Sequence, residues 1–310
     1  MSQISSQFNA NGKLLITGEY FILDGAVGLA LPTKFGQTLT VDSSCLPELI
    51  EGNEEGISWK SINDKNNIWF EAKFSESLEI ISSTNKEVGE TLKNILSYCK
   101  LNIQHSTFTT RLGFPNNWGL GSSSTLISLL AQYANVDPYE LLAKTFGGSG
   151  YDIACATANQ AITYQKISNL KSQISNPVDF QPKFAEHLYF VHLNQKQNSR
   201  EGIQHYKNLT IDKTDLIEQI SELTQKIIRA NELDEFSYYL EVHENIVSKA
   251  LSLQKVKDIY FTDFPGTIKS LGAWGGDFVL VASDESPEMI THYFQQKGFP
   301  TVIRYNAMIL

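Results

Sequence analysis

Cysteine is scarce in this chain, with Cys45, Cys99 and Cys155 as the three copies in 310 residues. An odd, widely spaced set gives neither a disulfide framework nor a zinc pattern, so a reduced, cytoplasmic setting is expected. Long apolar runs are absent, and no stretch approaches the length that spans a bilayer. The opening M-S-Q-I-S-S-Q-F-N-A lacks the basic-then-apolar order of a signal peptide. Positive charge is in the minority. There are 25 Lys and Arg against 34 Asp and Glu, a net charge of −9. That balance argues against nucleic acid or an anionic membrane as partner, but local amides and lysines can still bind a phosphorylated small molecule. G-x-G-x-x-G and G-x-x-x-x-G-K-[ST] are both missing, which removes the usual dinucleotide and Walker-type readings. There is no long repeat and no low-complexity segment. What is present is a packable core, with 42% hydrophobic residues, 17 Phe, 13 Tyr and 4 Trp. The length suits two modest domains or one large one.

One stretch, 115–158, concentrates the chemistry. It begins P-N-N-W-G-L-G-S-S-S-T and opens directly into an apolar helix. A helix N-terminus offers unpaired backbone N–H groups and the positive end of a dipole, which suits phosphate. Gly119 and Gly121, flanking Leu120, let backbone approach an anion with no Cβ in the way. Ser122, Ser123 and Ser124 add hydroxyls that can bind phosphate oxygens or magnesium. An ordinary strand-to-helix turn with a serine cap is the plain alternative. Further on, G-G-S-G-Y-D-I-A-C-A-T-A puts Asp152 at the mouth of a second helix, where it is either a cap or a base for a substrate hydroxyl. Lys13 and Glu19 flank a buried strand and are either solvated ends or functional groups. A lysine close to Asp152 would keep it ionised and help hold a transferring phosphoryl group. Lys196 and Arg200 sit in a polar loop, solvated or else well typed for an anionic substrate group. The Gly272–Gly276 cluster is either a tight turn or a site border.

Patterning places strands at 13–16, 27–31, 37–41, 57–62, 68–74, 107–112, 161–167, 188–193, 278–282 and 301–305. Helices are expected at 87–100, 125–134, 138–146, 152–158, 201–207, 213–230, 234–253 and 287–297. The polar, proline-containing 169–183 reads as a domain boundary.

Three separated motifs now resemble one family. G-K-L-L-I-T-G-E-Y at Gly12–Tyr20, P-x-x-x-G-L-G-S-S-S at Pro115–Ser124 and K-S-L-G-A-W-G-G-D at Lys269–Asp277 are similar, in order and separation, to the motifs of the GHMP kinases. Those are galactokinase, homoserine kinase, mevalonate kinase and phosphomevalonate kinase. G-S-G-Y-D-I-A-C at Gly148–Cys155 and Gly18-Glu19-Tyr20 look most like the phosphomevalonate kinases. The resemblance implies a two-domain α+β fold. Residues 1–168 would form an N-terminal ATP-binding domain like the second domain of ribosomal protein S5, and 184–310 a ferredoxin-like α/β sandwich. It implies ATP and Mg2+ as cofactors, with Gly119–Ser124 around the ATP phosphates, Ser123 near magnesium, and Asp152 and Lys13 catalytic. Glu19, Lys196, Arg200, Gly272, Ala273, Trp274 and Gly275 would face the acceptor. That acceptor would be an acidic or phosphorylated metabolite, phosphomevalonate before mevalonate, and the protein a monomer or homodimer. A diphosphomevalonate decarboxylase shares this fold, but the sequence is less similar to that branch. Two positions depart from the family. Leu141 stands where mevalonate kinases carry a magnesium-binding glutamate, with Glu140 one step off, and Trp274 stands where glycine is usual. These two motivate an alternative, a protein of the same fold that binds nucleotide without turnover.

Overall fold

The computed structural model describes residues 4–43, 56–99, 106–167, 172–195, 199–272, 274 and 277–310. Two compact units emerge, and neither is one continuous piece of chain. The first comprises Met1–Gly12, Phe35–Asn116 and Gly121–Thr157; the second comprises Lys13–Lys34, Asn117–Leu120 and Ala158–Leu310.

The first unit is built on strands β1 (Ile4–Leu15, up to Gly12), β2 (Gly28–Ser43, its C-terminal part), β3 (Gly56–Ile62), β4 (Ile68–Ser75), β5 (Ile80–Ser83) and β6 (Ser106–Leu112). The order β5-β4-β3-β6-β2 mixes an antiparallel β3/β4 hairpin with a parallel β3/β6 pair. The strands expected at 57–62 and 68–74 are present and pair as a hairpin. In β3, Ile57, Trp59 and Ser61 point inward while their neighbours are less buried, the alternation a one-face-buried strand requires. Trp59 stacks on Phe108 of β6 at 5.6 Å and 11°. Helix α1 (Lys86–Cys99) lays Leu92, Ile95, Leu96 and Cys99 on this core. Helices α2 (Ser122–Ala134), α3 (Pro138–Lys144) and α4 (Tyr151–Thr157) complete it. Burying each such large apolar side chain is worth about 1.5–3 kcal/mol. Asp137 caps α3, accepting from the Tyr139 and Glu140 amides, and Pro138 takes the first turn.

The second unit holds the N-terminal part of β2, where Gly28–Ala30 pair with β7 (Ile162–Ile167), and β8 (Ser172–Pro177) beyond it. It also holds an antiparallel sheet in the order β10 (Thr267–Ser270), β11 (Phe278–Ala282), β9 (Leu188–His192), β12 (Val302–Arg304). Every residue of β9, β10 and β11 is buried, so this sheet centre is covered on both faces. Helices α5 (Ser199–Lys207), α6 (Thr214–Arg229), α7 (Leu233–Leu251), α8 (Val256–Tyr260), α9 (Pro287–Gln296) and α10 (Tyr305–Met308) fill the rest.

Three differences from the sequence reading have physical causes. Two strands expected on either side of Pro32 are one, because β2 changes partner there. Residues 28–30 pair with β7 and 37–43 with β6, and Pro32 lies between the two ladders, where its missing N–H breaks neither. The polar segment after β7 contains strand β8. It lies at the edge beyond β7, where polar residues and a terminal proline are suited. Helix α5 begins at Ser199, inside the expected loop. The short elements β5, β10 and α8 carry too few residues to show a period.

Candidate functional site

The glycine/serine loop is divided between the units. Its Asn117–Leu120 portion is held within the second. The Lys13 amide donates to the Leu120 carbonyl at 3.1 Å, and Lys13 Nζ donates to the Gly119 carbonyl at 2.9 Å. His192 Nε2 donates to the Asn117 carbonyl at 3.0 Å, while its Nδ1 accepts from the Asn194 amide at 3.3 Å, which fixes the neutral tautomer. Trp118 meets Phe278 edge-to-face at 5.5 Å. Gly119 has φ +63°, and a Cβ built on it would overlap the Asp277 carboxylate, so a side chain is excluded twice over.

Gly121, at φ 90°, turns the chain into α2 within the first unit. It brings no side chain to cap the helix. The three serines differ. Ser124 is buried and donates to the Gly121 carbonyl at 2.9 Å, Ser122 is half-buried, and Ser123 is exposed. Thr125 Oγ1 donates to Gln37 Oε1 at 2.6 Å, pinning the first turn to β2. An uncapped N-terminus next to an exposed hydroxyl suits an anion better than a closed turn does. Asp152 lies half-buried in the first turn of α4, after Gly150 at φ 92°, and α4 packs on α2. Its Oδ1 accepts from the Ile153 amide at 3.1 Å. Leu141 is in the core of this unit, and Glu140 points to solvent.

The second unit places Gly272, at φ +62°, in the turn from β10 to β11. The Leu271 amide donates to Phe278, and the Leu193 amide donates to the Asp277 carbonyl at 2.8 Å. Trp274 is only 6% exposed and packs with Tyr20, Phe21, Tyr206, Val247 and Leu251. Its indole N–H has no partner among the described residues. Glu19 is fully buried. Lys269 Nζ donates to its Oε1, and its Oε2 lies 3.4 Å from His243 Nε2. His243 Nε2 accepts from the Gly18 amide at 3.0 Å, so two acceptors face each other unless a proton lies between them. Burial pushes the Glu19 carboxyl up to about 7, with Lys269 opposing, and burial with Lys269 nearby holds His243 well below its usual range. Glu244 completes the group, accepting from the Ser270 amide and hydroxyl at 3.1 and 2.8 Å and lying 3.9 Å from Lys269.

Of the sequence-predicted residues, the structure thus brings Lys13 onto Gly119 and joins Leu120 to the Lys13 backbone. Glu19, Gly272 and Trp274 belong to the second unit, and Asp152 and Ser122–Ser124 to the first. Arg200 is in α5, while Lys196, Ala273 and Gly275 lie outside the described residues. His192, His243, Glu244 and Lys269 had no assigned role from sequence. The available signals were a lysine inside an otherwise apolar strand and a His-Glu pair on a helix carrying core residues. A cleft of about 930 Å3 within the second unit is lined by Lys34, Gln160, Phe180, Gln181 and Tyr305 among others, and by none of the predicted site residues.

Neither a family model nor a curated protein matches the sequence. Solved structures do match. Lin0012 from Listeria innocua is 14% identical with a TM-score of 0.69, covering 97% of each chain. Mevalonate kinase from L. major in complex with R-mevalonate is 12% identical with a TM-score of 0.69, covering 98% of this chain and 96% of that one. The chain has the GHMP kinase fold. Phosphomevalonate kinase from Streptococcus pneumoniae, in complex with phosphomevalonate and AMPPNP, shares that fold at 16% identity and a TM-score of 0.67, over 97% of this chain and 99% of that one. The expected mixed α+β class thereby holds along almost the whole length.

Proposed function

We propose that this protein is an ATP-dependent small-molecule kinase of the GHMP type. It transfers the γ-phosphoryl group to phosphomevalonate or, second, to mevalonate. The observation that carries the reading is the start of α2, where left-handed Gly121 brings no side-chain cap and the Ser123 hydroxyl beside it is exposed. These groups fit ATP phosphates, with Gly119–Ser124 as the cradle. Ser123 supplies a hard oxygen for magnesium. Magnesium bound to a nucleotide takes most of its ligands from phosphate and water, so one hydroxyl suits a metal that arrives with ATP. Bound, it would neutralise developing phosphate charge.

Asp152 would accept the proton of the acceptor hydroxyl, and Lys13 would supply positive charge to the transferring group. Gly272, Ala273, Trp274 and Gly275, with Lys196 and Arg200, would determine the acceptor. The favoured acceptor follows the GSGYDIAC resemblance and is supported by the neighbours of known substrate. The proposed domain division is 1–168 and 184–310.

A panel assay tests the reading. ADP release is measured with magnesium and ATP against mevalonate, phosphomevalonate, diphosphomevalonate, homoserine and galactose. Acceptor-dependent release with phosphomevalonate or mevalonate supports it. ATP binding with silence across the panel favours the second reading, a nucleotide-binding protein without turnover, for which buried Leu141 is the specific observation.

A further inference from the structure

The cleft of about 930 Å3 in the second unit shares no lining residue with the kinase site proposed above. It opens where three neighbouring strands run out. β2, β7 and β8 lie side by side, and the cleft is lined by Lys34 of β2, by 159–161 ahead of β7 and by 178–182 after β8. Its floor is apolar, with Ala161, Phe180, Tyr305 and Ile309 all buried. Phe180 meets Tyr305 edge-to-face at 6.4 Å, and Tyr305 stacks on Phe190 of β9 at 6.1 Å. The walls are tied as well. The Val178 amide donates to the Ala161 carbonyl at 2.9 Å, the Gln160 side-chain amide donates to the Val178 carbonyl at 3.3 Å, and Thr33 forms an antiparallel bridge with Ile309. A cleft held in this way is formed before any ligand arrives, and its size is that of a small-molecule site.

The rim has a different chemistry. Lys34, Asn159, Asp179, Gln181 and Asn306 are exposed. Lys34 Nζ donates to the Asn306 carbonyl at 2.6 Å, which leaves two of its three donors for an anion. Asp179 offers the opposite charge. Lys34 belongs to β2 and Asp179 follows β8, strands two places apart, or roughly 10 Å. The side-chain amides donate and accept at once, as a peptide group does.

We propose that this cleft binds a short zwitterionic peptide of dipeptide size with apolar side chains. Its carboxylate meets Lys34, its ammonium meets Asp179, its peptide group meets the rim amides, and its side chains cover the Phe180 and Tyr305 floor. A single amino acid carries its two charges too close together to reach both walls, and a fatty acid leaves Asp179 unanswered. The proposal is independent of the kinase reading.

Calorimetric titration of the full chain with the dipeptide Leu-Phe, without nucleotide, tests it. Binding is expected with a Kd of about 10 μM to 1 mM. N-acetyl-Leu-Phe and Leu-Phe amide each lack one charge and should bind at least about threefold more weakly, as should Leu-Phe itself to Lys34→Gln and to Asp179→Asn. Ala185→Trp adds bulk at a half-buried position of the lining and should abolish binding, with a melting temperature within about 3 °C of the parent. No binding of Leu-Phe at about 10 mM overturns the proposal. Binding that Lys34→Gln and Asp179→Asn both leave at parental strength puts the peptide elsewhere and overturns it too. An acetylated peptide that binds as tightly as the free one makes the ligand a simple carboxylate, against the zwitterion.

Discussion

Two glycine-rich turns, each followed by a regular element, are built in opposite ways. The loop into α2 ends on a left-handed glycine that caps nothing, with an exposed serine after it. The turn into β11 is fastened by a buried indole, by Leu271 and Leu193 amide bonds, and at its foot by the Lys269 cluster. Glycine in the first case stands at the N-cap in the left-handed region without a side chain to cap the helix, and in the second Gly272 takes φ +62° just before the buried Trp274. The same composition therefore leads into a helix in one place and into a buried strand in the other.

The largest expected effect concerns the open turn and its unit. Asp152→Asn should cut turnover by about 10³-fold with ATP affinity and melting temperature nearly kept. Parental turnover would make Asp152 only a cap. The next breaks the fastened turn. Trp274→Gly removes a buried aromatic and should lower unfolding free energy by about 3–5 kcal/mol in denaturant titration, and it should change the acceptor profile. An unchanged profile with the expected loss of stability would make the indole purely structural.

A third prediction uses pH. Glu19 titrates near 7 in the folded protein, against an ordinary glutamate value of 4.5. The folded state then holds a proton that the unfolded state has released, so this group's contribution declines as pH rises from about 4.5 to 7 and is constant above that. Glu19→Gln should flatten that part of the stability profile, by up to roughly 3 kcal/mol across the window. An identical slope in the parent and the variant would place the buried proton elsewhere. The smallest effect sharpens the comparison. Gly121→Ala places a Cβ at φ 90° and should cost about 1 kcal/mol of stability, with a measurable loss of ATP affinity by calorimetry.

Long periodic elements and the glycine motifs were legible in the sequence. Leu92, Ile95, Leu96 and Cys99 marked α1 by spacing, and Asp137-Pro138 marked the start of α3. Strand β8 was not legible, because S-Q-I-S-N-P has the composition of a linker and is a strand only through its pairing with β7. The Glu19–Lys269 contact joins residues 250 positions apart, which no local pattern can reveal. Trp274, noted in the sequence for standing where glycine is usual, lies in the core with Tyr20, Phe21 and Tyr206. That its N–H has no partner among the described residues was not foreseeable from type or position.

The segment Lys13–Lys34 belongs to a unit whose other parts follow more than eighty residues later. Thr17 bonds Thr224, Val27 bonds Ser221, and Gly18 bonds His243, each across about two hundred positions or more. As the chain leaves the ribosome, this early piece must wait until α6 and α7 have been synthesised, at ~5–20 residues per second, with Phe21 lacking its Ile220 and Val247 packing for that interval. Closing so long a loop costs little more than closing a shorter one, so the penalty falls on time rather than on final stability. An expression host with abundant holdase chaperones should therefore raise soluble yield more than a lower growth pH or added salt would.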